Sequence, residues 1–190
     1  MKHRLFIALD LPETTLENVV VLQTSLSRLN LPVDWEKPQK MHLTLNFLGR
    51  VEEKDIPLVE KTLNRVVSSY PPLTLTPHFL ETLYQRHEPS LIYLAASSPE
   101  LLDFQKSLSL SLSKIKFPQP IRFLPHITIG KLRRQDPALT KRYLGQIDDY
   151  EFSPLPKFTV DHITLYESFL SRSGSTYQKK ARFMLQSTSS

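Results

Sequence analysis

The segments His42-Leu43-Thr44-Leu45 and His126-Ile127-Thr128-Ile129 lie 84 residues apart, and the helix and strand signals around the first recur around the second. A chain built this way solves one packing problem twice. Three of the six histidines are followed by an apolar residue, Thr and another apolar residue, the third being His162-Ile163-Thr164-Leu165; composition alone predicts well under one such match. Side chains alternate across a strand, so His and Thr at i and i+2 share one face while their apolar neighbours turn to the core. Each such strand presents an imidazole beside a hydroxyl.

The first repeat reads as a strand over 4–9, a helix over 13–30 carrying Leu16, Val19, Val20, Leu26 and Leu29 on one side, and extended segments over 33–36 and 41–48. A turn at Gly49, a helix over 55–69 and a strand over 73–83 complete it. After the polar stretch 84–90 the order begins again: a strand over 91–96 with Leu91 in the place of Ile7, a helix opened by Pro99, strands over 121–124 and 126–132, a helix over 137–146 and a long strand over 157–170. A last strand over 175–185 and a frayed STSS tail follow. Each copy is a β-α-β-β-α-β unit. The predicted fold is therefore α+β: one bilobal domain over 1–190, with pseudo-repeats about 1–84 and 85–170, antiparallel sheets, helices outside and a cleft where the lobes meet. A period this long, present twice, excludes a solenoid.

Composition narrows the chemistry. The 24 Lys and Arg exceed the 19 Asp and Glu, giving a net charge of +5, which favours a polyanionic partner. Cysteine is absent, so disulfides, thiolate nucleophiles and Cys-ligated metals are excluded, and a reducing compartment, the cytoplasm, fits. The apolar run Leu5 to Leu9 is too short for a signal segment, and no stretch approaches the ~20 apolar residues of a membrane span. With four glycines and no Gly-rich phosphate loop or G-x-S-x-G elbow, nucleoside-triphosphate hydrolysis and serine-hydrolase chemistry are disfavoured. No H-x-H or H-E-x-x-H spacing completes a metal shell.

The pairing of imidazole and hydroxyl suits phosphate chemistry. Imidazole shuttles a proton near neutral pH, and a hydroxyl hydrogen-bonds a non-bridging oxygen. His42 and His126 occupy matching repeat positions, whereas the repeat mate of His162 is His78, in the unrelated context Pro77-His78-Phe79-Leu80. The first two are read as the acid-base pair and His162 as a structural histidine beside them. His3 and His87 fall in terminal or turn segments.

The stretches RLFIALDLP, HLTLNFLG, PHITIGKLRR and LYESFLSRSGSTY resemble, almost end to end, the two-histidine phosphoesterases, and within them the RNA 2',3'-cyclic phosphodiesterase or LigT-like 2'-5' RNA ligase family. The resemblance implies a bilobal fold with both histidines lining the cleft, no metal and no cofactor. Carried over residue by residue, it implies His42 as proton donor and His126 as proton acceptor, roles that could be exchanged. Thr44 and Thr128 would bind phosphate oxygens, and Lys131 would steady the phosphate as a point charge. The third motif, at His162, departs from the family pattern and adds a second candidate base. The implied reaction opens the 2',3'-cyclic phosphate at an RNA end to a 2'-phosphomonoester, with ligation as its possible reverse; the partner is RNA, and nothing demands more than a monomer. Two other readings share the sequence. One is cleavage of 2'-5' linked oligonucleotides or ADP-ribose cyclic phosphate. The other is a non-catalytic RNA-binding module using Lys131, Arg133, Arg134, Lys141 and Arg142 on phosphates and Trp35, Phe47 or Phe123 on bases.

Overall fold

The computed structural model describes residues 1–85, 88–117, 122–133, 135–171 and 174–186. In order the elements are β1 (Lys2–Asp10), α1 (Glu13–Ser27), β2 (Val33–Trp35), β3 (His42–Glu52), α2 (Ile56–Val67), β4 (Leu73–Gln85), β5 (Glu88–Ser97), α3 (Pro99–Lys114), β6 (His126–Leu132), α4 (Pro137–Asp148), β7 (Phe158–Val160), β8 (His162–Ser171) and β9 (Gly174–Met184). Two helices, α3 and α4, start where the sequence supplies a side-chain cap. The Ser98 hydroxyl accepts the Leu101 N–H at 3.2 Å, and the Asp136 carboxylate accepts that of Ala138 at 2.9 Å, each just ahead of a first-turn proline. In α3 the buried residues Leu101, Phe104, Gln105, Leu108, Ser109 and Leu112 follow the spacing of one helical face.

The strands form a curled antiparallel sheet in the order β7-β4-β5-β6-β3-β1-β8-β9, with β2 paired to β6. Alternation divides its faces. Leu5, Ile7, Leu9, Leu43, Ile127, Ile163 and Leu165 enter one large core with Val19, Leu63 and Phe104 from the helices. The opposite face carries a small separate cluster of Phe6, Ala8 and Tyr166 with Tyr177.

The two repeats exchange their last strands. The first repeat ends in β4, which pairs with β5 of the second; the second ends in β8, which pairs with β1 of the first. Between β3 and β6 the register holds a single pair, Leu43 with Ile127. These are the residues between His and Thr in the two motifs. Continued one step either way, the antiparallel register sets His42 against Thr128 and Thr44 against His126.

A bulge follows each Thr. The register of β1 on β3 slips between Ile7 and Ala8, leaving Leu45 without an opposite number; that of β5 on β6 slips between Ile92 and Tyr93, leaving Ile129. A buried glutamine from the other repeat's helix serves each bulge carbonyl. Gln105 donates to Leu45 O at 3.3 Å, and Gln23 donates to Ile129 O at 2.6 Å. The Glu36 N–H also donates to Ile129 O. A bulge takes a carbonyl out of the ladder, and inside a core that group needs a partner.

Four sequence expectations are corrected. Ala8 and Tyr93 both face the motif threonines, so Ile7 corresponds to Ile92 rather than Leu91; one residue has been gained between the first strand and the motif. Gly49, at φ +72°, is a bulge inside β3 and not a turn, because its missing Cβ permits the left-handed conformation without ending the pairing. The part of 121–124 that is described, 122–124, is no strand. Pro125 has no N–H to pair, and Leu124 O is taken by the His126 ring. The long strand 157–170 breaks at Asp161, since β7 pairs with β4 and β8 with β1, and one straight strand cannot follow both. Arg134, His87 and the STSS tail lie outside the described residues. Among the described residues no helix is long and apolar enough to cross a membrane.

Candidate active site

The five residues expected at the site come together. His42, Thr44, His126, Thr128 and Lys131 all line one cavity of about 430 Å³, along with Arg4, Lys40 and Glu36. Strand alternation brings this about, since β3 and β6 cross at Leu43 and Ile127 and turn both His-Thr faces the same way.

Each imidazole is held from behind in the same manner. His42 Nδ1 lies 2.7 Å from Lys40 O, and His126 Nδ1 lies 2.7 Å from Leu124 O. A carbonyl only accepts, so Nδ1 carries the hydrogen in both rings and Nε2 is left to take or give a proton. The walls differ. His42 packs against Phe6 at 5.1 Å, Tyr166 at 5.9 Å and, edge-on, Tyr177 at 5.3 Å. Burial among these rings lowers its proton affinity below the ordinary histidine value, against the pull of the Lys40 carbonyl and of Asp10 and Glu36. His126 meets Tyr93 edge-on at 5.3 Å.

Tyr93 and Tyr166 are each tied by the hydroxyl to a carboxylate on the neighbouring strand. Tyr93 donates to Glu81 Oε2 at 2.5 Å. Tyr166 donates to Asp10 Oδ1, whose Oδ2 also takes Lys179 Nζ at 2.6 Å, the Thr164 hydroxyl at 3.2 Å and His162 Nε2 at 3.2 Å. Burial pushes the Asp10 carboxyl up, but His162, Lys179 and Tyr166 together hold it well below the carboxylate range. The second ring nitrogen of His162 meets Asp161 at 2.6 Å. Its proton affinity is raised, by Asp10 first and then Asp161, against burial. His162 does not line the cavity; with both nitrogens on carboxylates it braces β1 to β8. His78 stands apart, bonded to Ser97.

Lys131 reaches the cavity with its ammonium 3.5 Å from Glu36. Lys40 is tethered to Ser175 O at 2.7 Å. Arg133 is paired with Asp34 instead. Trp35 packs against the core, whereas Phe47 is 68% exposed at the cavity edge. Sequence reasoning missed Arg4, Lys40, Phe6 and Tyr177. Alternation within β1 separates Phe6 from Leu5, Ile7 and Leu9, but only the pairing of β1 between β3 and β8 brings it to His42.

Known proteins match on both sequence and shape. The 2'-5' RNA ligase superfamily model matches residues 30–169. A Methanocaldococcus jannaschii protein named RNA 2',3'-cyclic phosphodiesterase is 26% identical over 175 residues, covering 92% of this chain and 96% of its own. A Thermotoga maritima protein of the same name is 28% identical, covering 92% and 91%. Among solved structures, a Thermus thermophilus protein superposes with TM-score 0.78 at 22% identity, covering 96% and 97% of the two chains. E. coli LigT complexed with 3'-AMP superposes with TM-score 0.76 at 22% identity, covering 98% and 100%. A family model spanning most of the chain, on a fold with two matching His-x-Thr strands at one cleft, places this protein in the 2'-5' RNA ligase superfamily of two-histidine phosphoesterases, an enzyme family.

Proposed function

We propose that this protein hydrolyses 2',3'-cyclic phosphate ends of RNA to 2'-phosphomonoesters, with His42 and His126 as the acid-base pair. The observation that carries the reading is the matched pair of imidazoles in one cavity, each with Nδ1 committed to a backbone carbonyl and Nε2 available. It is supported by relatives that bear the name RNA 2',3'-cyclic phosphodiesterase.

His126 Nε2 takes a proton from water as its oxygen attacks phosphorus. The bond from phosphorus to the 3' oxygen breaks, and His42 Nε2 gives that oxygen its proton, leaving a free 3' hydroxyl and a 2'-phosphate. Thr44 and Thr128 donate hydrogen bonds to the non-bridging oxygens, and Lys131 adds positive charge where negative charge builds. Burial lowers the proton affinity of His42; the incoming phosphodiester anion works against this by favouring the charged ring. With a 5' hydroxyl in place of water as the attacking group, the same displacement of the 3' oxygen forms a 2'-5' linkage, and the reverse of that step would break it.

The test follows a short RNA ending in 2',3'-cyclic phosphate, with EDTA present, for the wild type and the His42→Ala, His126→Ala and His162→Ala variants. A 2'-phosphate product, lost in the first two variants and retained in the third, is expected. A 3'-phosphate product, a metal requirement, or loss in His162→Ala equal to that in the others overturns the assignment.

A further inference from the structure

Beside the catalytic cavity lies a second groove of about 700 Å³, and the two share Thr44, Phe47, Leu83 and His126 as lining. Its wall is aromatic: Phe47, Phe79 and Tyr84 are 68%, 49% and 54% exposed, and Phe123 joins them. Single apolar side chains in solvent are ordinary; several large rings lining one groove mark a binding surface. The two formally charged side chains of the lining are Arg122 and Glu81, and Glu81 already accepts the Tyr93 hydroxyl. The result is a stacking surface with a guanidinium beside it.

We propose that this groove holds the ribonucleotides on the 5' side of the cyclic end, single-stranded, with their bases stacked on Phe79, Tyr84 and Phe123 and Arg122 against the strand. The inference rests on the reading of the cleft as a site for a cyclic RNA end. A 2',3'-cyclic phosphate terminates its strand, so any attached chain leaves on the 5' side. The groove opens directly from the cavity and shares Thr44 and His126 with it, so a strand attached to the cyclic end can enter it. Every base offers a π face, so an aromatic groove grips RNA without reading its sequence, and the net charge of +5 favours the phosphates that come with it.

The experiment compares kcat/KM of the full chain on a nucleoside 2',3'-cyclic phosphate and on a tetraribonucleotide with the same cyclic end. The tetranucleotide is expected to gain about ten-fold for each base that stacks. The gain should shrink in Phe79→Ala, Tyr84→Ala and Arg122→Ala, and persist in Phe169→Ala, an exposed residue outside both cavities. Equal values for the two substrates in the wild type, or a gain that survives Phe79→Ala combined with Tyr84→Ala, overturns the groove while leaving cyclic-end hydrolysis intact. Absence of turnover on both substrates is a failure of the catalytic reading, and a second measurement then decides the groove. An oligoribonucleotide ending in a 3'-phosphate and carrying 2-aminopurine next to its terminal nucleotide should be quenched on binding, and less so by Phe79→Ala; no quench overturns the proposal, including the case where the groove serves a protein partner.

Discussion

The His42 and His126 halves of the cleft begin from the same four-residue pattern and end in different surroundings. Behind each ring the backbone is alike: a carbonyl two residues upstream holds Nδ1, and a bulge after the Thr is tied to a glutamine from the other repeat's helix. In front of the rings the likeness stops. His42 has three aromatic neighbours, one of them, Tyr177, from β9 beyond the repeats; His126 has Tyr93. The tyrosine clamps are also built in opposite senses. In the His42 half the first strand, β1, supplies the carboxylate, Asp10, and the exchanged β8 supplies Tyr166. In the other half the first strand supplies Tyr93 and the exchanged β4 supplies Glu81. Duplication explains the parts that orient the imidazoles, while divergence of the walls gives one pair of like side chains two environments, which the proposed division into an acid and a base calls for.

Catalysis offers the largest effect with which to break this comparison. His42→Ala and His126→Ala are each expected to lower kcat for cyclic-end hydrolysis by about 10²–10⁴-fold. The double variant should be little worse than the poorer single, because the two act as one unit. Effects that multiply in steady-state kinetics would mean the two halves work independently.

The glutamines come next. Gln105→Leu removes the amide shared among Leu45 O, Asn46 Oδ1 and Ser109 Oγ and should cost about 2–3 kcal/mol; Gln23→Leu removes the donor to Glu36 O and one of the two to Ile129 O and should cost about 1–2 kcal/mol. Urea denaturation of both variants checks the order, and the reverse order would remove the argument from shared donors. The clamps should differ likewise. Asp10→Asn takes the charge from a carboxylate that holds Tyr166, His162 and Lys179 and is expected to cost about 1–3 kcal/mol. Glu81→Gln, at an exposed carboxylate, is expected to cost less than about 1 kcal/mol.

The smallest effect is one of pH, with opposite signs for two histidines on the same face. The folded state lowers the proton affinity of His42, so the unfolded chain binds more protons and stability falls as pH drops below the ordinary value of about 6.5. His162 is shifted upward, so its contribution is complete below about pH 6.5 and is lost as pH rises through its folded value. Thermal melts across pH 5–9 should therefore show His42→Ala flattening the acidic decline and His162→Gln flattening the alkaline one. Parallel curves for both variants and the wild type would remove the link between burial and proton affinity.

Much of the site was legible because it follows from period. Two His-x-Thr strands with apolar neighbours dictate which face each side chain takes, and equal spacing identifies His42 and His126 as partners and sets His162 aside. The β-α-β-β-α-β order was legible for the same reason, since helix and strand periodicities are local. Gly49 and the segment 122–124 differ from expectation because a bulge and a turn use the same residues, and because the strand pattern of 121–124 carries no weight against the Pro125 that follows it.

Local pattern was enough to set the repeat, the alternation that turns two imidazoles and two hydroxyls away from the core, and the basic charge that suits a phosphate-bearing partner. It took the assembled sheet to make β4 and β8 change places, to bring Tyr177 of β9 to His42, and to carry Gln23 and Gln105 across to the bulges. The reason is range. Periodicity is written into neighbouring residues, whereas register between strands about 160 residues apart, such as β1 and β8, is settled only when the core closes and buried polar groups are drawn to their partners.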